Sequence, residues 1–298
     1  MCIMIVDIST TYLKGLLMSV HFVIDSASDI LPQEAAQLGV TVLPMTVTFG
    51  QTTFRDTVDL SHREFFEKLA TCRELPTTSQ LPPADFADCF EDLAAAGHQI
   101  IVITVSSKLS GTYQSATIAA ADYPGQVFVV DSLSAAIGQR VLLLRGLELA
   151  REGLSATEIV SRLDEEKSRL RVMAIIDTLE YLKKGGRISA ATALAGTVLS
   201  VKPAVEICDG LVSMAGKARG TRQGNVLLRQ LIEKYGGVNW DAPYGLIYSG
   251  LNDDLLRKFI ADQPDLWQDP DNLPIHSLGC VIGTHIGPGA YGIDFFEK

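Results

Sequence analysis

Short apolar runs separated by longer amphipathic stretches set the rhythm of the first half of the chain. Residues 21–24, 40–49, 99–105, 126–130 and 172–176 are brief and rich in β-branched side chains, and each reads as a strand. Between them, residues 61–70, 83–96, 111–121, 135–151 and 156–169 read as helices, several opening with Ser, Asp or Pro start signals. This alternation predicts a largely parallel sheet covered by helices. Polar residues collect at the strand ends, where Asp25-Ser26, Ser106-Ser107 and Asp131-Ser132 each follow an apolar run directly. In open α/β sheets ligands bind in the crevice outside the carboxyl ends of the strands.

The pattern changes after about residue 170. KKGGRIS, the apolar ALAGTVLSVKPAVEI, the turn Cys208-Asp209-Gly210 and the strand-like LVSMAGKAR predict paired strands mixed with helices. The chain therefore divides into an α/β domain over residues 18–168 and an α+β domain over 169–298. No internal repeat or low-complexity linker separates them, so the halves are expected to pack closely, with the cleft between them as the default ligand site. Residues 1–17 are apolar but lack a basic start and are interrupted by Asp7 and Lys14; they are set apart as an extension, native or a misassigned start. No later segment approaches the roughly 18 apolar residues of a membrane span, so no stable membrane insertion is expected.

Composition narrows the partners. With 298 residues and 47% apolar content the chain can bury the core of two ordinary domains. A net charge of -10 would repel a phosphate-rich partner over most of the surface, which argues against nucleic acid. Cys2, Cys72, Cys89, Cys208 and Cys280 are odd in number and scattered, without CxxC or a Cys/His cluster. They are expected to be reduced thiols of a cytosolic protein, acting as small buried hydrophobes, with no metal or cofactor.

Four segments carry chemistry, and each also has an ordinary reading. LPTTSQLPP (75–83) puts three hydroxyl residues ahead of a helix, as a cap would. SSKLSGTYQSA (106–116) places Ser110-Gly111 at a helix start, either as an N-cap or as an anion site. DTLEYLKKGGRIS (177–189) fits a helix end with Lys183, Lys184 and a glycine cap. IGTHIGPGAYG (282–292) sets His285 in a glycine-rich loop; Gly287, Gly289 and Gly292 fit GxGxxG formally, but Pro288 and the missing strand and helix rule out a dinucleotide site.

Together with the early IDSASD, these segments occur in the order and spacing of the DegV family, which the chain resembles over residues 22–295. The resemblance implies a fatty acid held between two α/β domains, its carboxylate met by Thr78 and Ser79, by Ser110 and the Gly111 amide, and by Thr284 and His285. Hydroxyls, amides and an imidazole would supply donors without a fixed ammonium or guanidinium. The resemblance further implies a carrier rather than an enzyme. A separate fatty acid kinase would phosphorylate the bound acid, and the acyl phosphate would pass to an acyltransferase of phospholipid synthesis. Lys217 and Arg219 of GKARGTR, and Arg187 of GGRIS, fall in regions implied to meet that kinase, although ordinary solvated charges would look the same.

Two other functions compete. A serine hydrolase would use Ser110 with His285 as base, yet there is no GxSxG elbow, and Asp294, the acid near His285 in sequence, has no evident role as its orienter. A lipid store or sensor without a kinase would need the same residues. Tail-contacting residues are not readable; the runs 141–144 and 193–199 fit either a tunnel lining or ordinary core.

Overall fold

Strands buried on both faces stand at the centre of the first half. The computed structural model describes residues 19–188 and 201–298, so the expectations placed on residues 1–17 and on the run 193–199 lie outside the described residues. The strands here are β1 (Val20–Asp25), β2 (Thr41–Leu43), β3 (Thr46–Phe49), β4 (Thr52–Arg55), β5 (Thr77–Ser79), β6 (Gln99–Thr104) and β7 (Val127–Asp131). The helices are α1 (Pro32–Leu38), α2 (His62–Thr71), α3 (Pro83–Ala95), α4 (Thr112–Ala120), α5 (Ile137–Arg151) and α6 (Ala156–Glu166). A wholly parallel sheet runs in the order β2-β1-β6-β7, with Ile24 beside Ile103 and Thr104 beside Asp131. Continuous apolar strands need cover on both faces, which the flanking helices provide. Capping boxes, Ser61 with Glu64 and Ser155 with Glu158, start α2 and α6 near the positions read from the sequence.

The run 40–49 is not one strand. Pro44 holds its preceding residue extended and offers no N–H, so the ladder stops at Leu43 and the chain crosses into another sheet. That sheet is a small antiparallel one in the order β4-β3-β5. β5 takes up the PTTSQ segment, so its hydroxyls belong to a strand; α3 starts after Pro82 without a side-chain cap.

The second half contributes β8 (Leu170–Ile175), α7 (Glu180–Lys184), β9 (Val201–Cys208), β10 (Leu211–Arg219), α8 (Gly220–Lys234), β11 (Tyr244–Tyr248), α9 (Asp254–Asp262), β12 (Ile275–Ser277), α10 (Cys280–Ile286) and β13 (Tyr291–Phe296). Its sheet runs β10-β9-β8-β13-β11-β12, antiparallel except between β11 and β12. The mixed α/β class expected from the sequence is the class observed.

Two helices join the halves. α5 touches β1 and β6 on one side and β8, β11 and β13 on the other. It is buried on most of its sides, as a helix between layers must be; Val141, Leu142 and Leu143 are fully buried core, and the buried Arg140 is paired with Glu34. α10, late in sequence, packs on α2, β3, β5 and α7. Of the cysteines expected to be buried, Cys280 is, whereas Cys208 is exposed at the end of β9, where the hairpin turns through Asp209 and Gly210 with positive φ.

Candidate functional site

A cavity of about 880 Å3, counting its open mouth, is walled by both halves of the chain. Met45, Val105 and Leu109 face it from the first half, Val172, Val205, Ile207 and Ile247 from the second, and Val281, Ile282 and Ile286 from α10. Its polar residues are few: Thr78, Gln80, Ser110, Arg187 and His285, with Glu206, whose carboxylate accepts the Tyr235 hydroxyl at 2.8 Å.

Strand alternation sets Thr78. It lies opposite Val47, which is fully buried, so its side chain shares the inner face of the small sheet. There its Oγ1 lies 2.8 Å from Nε2 of His285, 207 residues later. His285 belongs to the last turn of α10 rather than to a loop. Gly185, at the end of α7, lets the ring approach, because a Cβ there would sit 2.3 Å from His285 Nδ1. Burial, and then the nearby Arg187 guanidinium, push the imidazole down to about 4, so it is neutral at physiological pH. Among the described residues Nδ1 is buried without a hydrogen-bond partner. An unpaired buried N–H costs more than an unpaired lone pair, which places the single proton on Nε2. Nε2–H then donates to Thr78, and the threonine O–H is left to donate into the cavity.

Ser110 stands next to this pair. Its Oγ accepts the Thr112 amide at 3.3 Å and lies 2.9 Å from Thr112 Oγ1. Gln80 Nε2 donates to Ser115 Oγ at 3.2 Å. Arg187 was expected on a partner-facing loop, and the site was expected to lack a guanidinium; instead Arg187 is half-buried in the cavity wall. Its Nε donates to the Leu109 carbonyl at 3.2 Å and its Nη1 to that of Gly185 at 2.5 Å, which ties the two loops together. Burial lowers its pKa, yet a guanidinium stays charged at neutral pH.

The other residues named from the sequence lie elsewhere. Ser79 pairs with Thr46 and is exposed on the opposite face of β5. Thr284 is buried, but its hydroxyl donates to the Cys280 carbonyl one turn back at 2.8 Å. Gly111 is not part of the wall; the Gln80 side chain packs on its α-carbon. Lys217 and Arg219 are exposed on the edge strand β10, and neither lines the cavity. Gln80 and the placement of Arg187 escaped the sequence reading; their only signal was their position inside PTTSQ and GGRIS.

The hydrolase arrangement is not assembled. Ser110 is hydrogen-bonded to Thr112 and His285 to Thr78, with no bond between serine and histidine among the described residues. Asp294 is buried on β13, neither of its carboxylate oxygens has a hydrogen-bond partner among the described residues, and it does not orient Nδ1. Among the described residues no cluster of His, Cys, Asp or Glu is placed to hold a metal ion, and no helix is long and apolar enough to cross a membrane.

Comparison with known proteins agrees with this architecture. Residues 19–298 match the DegV family model, described as an uncharacterised protein of the DegV family. A DegV domain-containing protein of Deinococcus radiodurans is 33% identical over 277 residues, covering 93% of this chain and 98% of the relative. A structure reporting fatty acid binding by a DegV family protein from Thermus thermophilus superposes with a TM-score of 0.85 at 32% identity, covering 94% of this chain and all of that one. DegV of Bacillus subtilis, solved as a fatty acid binding protein, gives a TM-score of 0.79 at 28% identity, with coverage of 94% and 100%. The chain belongs to the DegV family.

Proposed function

We propose that this protein binds one long-chain fatty acid, with the tail in the cavity and the carboxylate at Thr78, Ser110, Arg187 and His285. The observation that carries the reading is the segregation of the cavity: a long apolar wall, with donors gathered where β5, the loop before α4, the end of α7 and α10 meet. An unbranched alkyl chain matches a wall made of Met45, Val105, Leu109, Val172, Val205, Ile207, Ile247 and the α10 isoleucines, with the polar side chains kept to one region. The solved relatives from Thermus thermophilus and Bacillus subtilis, described as fatty acid binders, support the same ligand class.

The tail supplies most of the affinity. About 14 methylenes at ~0.8 kcal/mol each give on the order of 11 kcal/mol before the costs of association. The headgroup contacts orient the acid and offset the burial of its charge, chiefly through Arg187 and the Thr78 hydroxyl.

The carboxylate is presented to a separate ATP-dependent kinase. A carboxylate oxygen attacks the γ-phosphorus of ATP, the bond to the β-phosphate oxygen breaks, and acyl phosphate and ADP result; an acyltransferase then consumes the acyl phosphate. Exposed Lys217 and Arg219 form the proposed docking charges. The test is to incubate the loaded protein with the cognate kinase and ATP. Acyl phosphate should form, and Arg219→Glu should lower turnover at least fivefold with unchanged fatty acid affinity. Tight lipid binding without acyl phosphate would favour a store or sensor, and release of acid from an ester would restore the hydrolase.

A further inference from the structure

Gly111 has a backbone that any residue can adopt, with φ -75° and ψ 2°, so conformation does not account for a glycine there. What the position lacks is space. A Cβ at 111 would lie 2.0 Å from Oε1, 2.7 Å from Cδ and 2.9 Å from Nε2 of Gln80. The Gln80 carboxamide fills the space a Cβ at 111 would need, and its Nε2 is held by Ser115 Oγ at 3.2 Å. Ser115 is itself buried, so the anchor is fixed. Gln80 is two residues beyond Thr78 in an extended segment, the spacing that returns a side chain to the same face. Unlike Thr78 and Ser110, however, it is exposed while still lining the cavity, which puts it at the rim.

We infer that Gln80 is a headgroup-contacting residue at the mouth of the cavity, and that Gly111 and Ser115 form the seat that holds its carboxamide in place. Nε2 has two hydrogens; Ser115 takes one, and the other is a neutral donor for an anionic oxygen beside Ser110. Gly111 then acts on the ligand through Gln80 rather than through its own amide. The inference rests on the proposed carboxylate site and adds to it the residue that recognises the outer oxygen.

A double-mutant cycle separates the possibilities, with hexadecanoic acid and hexadecanol as probes, since the alcohol shares the tail and lacks the anion. Gln80→Ala and Gly111→Ala should each weaken the acid about tenfold, the effect of one hydrogen bond to a charged group, and the alcohol less than twofold. The double variant should bind the acid no more weakly than the poorer single variant. Multiplying losses, roughly a hundredfold in the double variant, would overturn the seat and give the Gly111 amide a contact of its own. Full acid affinity in Gln80→Ala would overturn the contact. Gln80→Glu, nearly isosteric, guards against a folding defect at 111: it should weaken the acid more than the alcohol at pH 7, and equal effects would again overturn the contact. A wild-type protein that binds neither probe would instead remove the fatty acid reading on which the inference stands.

Discussion

His285 shows how much a single side chain depends on its surroundings. The motif GTH marks it in the sequence, but its partner Thr78, its buried Nδ1 and its depressed pKa come from packing against Gly185 and Arg187. Because its folded value, about 4, lies below the ordinary 6.5, it contributes stability that is present above pH 6.5 and lost as pH falls toward 4. At pH 5 the loss is about 2 kcal/mol. Chemical denaturation of His285→Gln should therefore show a shallower decline in stability between pH 7.5 and 5 than wild type, whereas parallel declines would mean that the ring is protonated in the fold. Fatty acid affinity should be flat from pH 6 to 8. His285→Ala and Ser110→Ala should lower acyl phosphate formation more than lipid binding, and an acyl-binding loss above ~3 kcal/mol with unchanged folding would contradict that division. Thr78, Ser110 and His285 were legible as motif residues and reach the cavity. Ser79 and Thr284 do not, because a strand turns alternate residues outward and a helical threonine bonds its own previous turn. Those outcomes required the secondary structure of each motif, which the motif alone does not state.

Secondary-structure elements with a strong period were the most legible. α2, α3 and α6 lie within a few residues of the ranges read from the sequence, because their start residues and apolar spacing are local signals. Short elements defined by long-range partners were not. The break at Pro44, the strand formed by PTTSQ and the helix in IGTHI depend on neighbours distant in sequence. α10 is the clearest case, being only seven residues long. Its start is held by two buried carboxylates of the first half: Asp29 Oδ1 accepts the Gly279 amide at 2.8 Å, and Asp56 Oδ1 accepts that of Cys280 at 3.4 Å. Burial, and then the charge of Asp56, raise the Asp29 pKa well above the carboxylate range. Asparagine, neutral with an oxygen acceptor, should thus replace it better than alanine. Urea denaturation should show Asp29→Ala destabilised by about 1–3 kcal/mol and Asp29→Asn by clearly less; equal losses would contradict this account of the helix start.

At the scale of the whole molecule, the division at residues 168/169 is a proposal about chain segments, whereas the packing argues for joint unfolding. α5 is shared by the parallel sheet and the six-stranded sheet, and α10 returns to the first half. Leu142→Ala, fully buried in that shared helix, should cost about 2–5 kcal/mol and lower one common transition rather than split it into two, as followed by circular dichroism during heating. The cavity could not be read from the sequence because its wall takes single residues from many elements, whereas Val141, Leu142 and Leu143 of the run 141–144 belong to the core. The claim at the centre of the account is that this space holds one aliphatic acid. Native mass spectrometry of the delipidated protein, reconstituted with hexadecanoic acid, tests it most directly. The account predicts a single adduct of one fatty acid per chain, displaced by a second fatty acid and not by a short-chain acid. A folded protein that remains at its bare mass, or that takes up many equivalents without saturation, would contradict it.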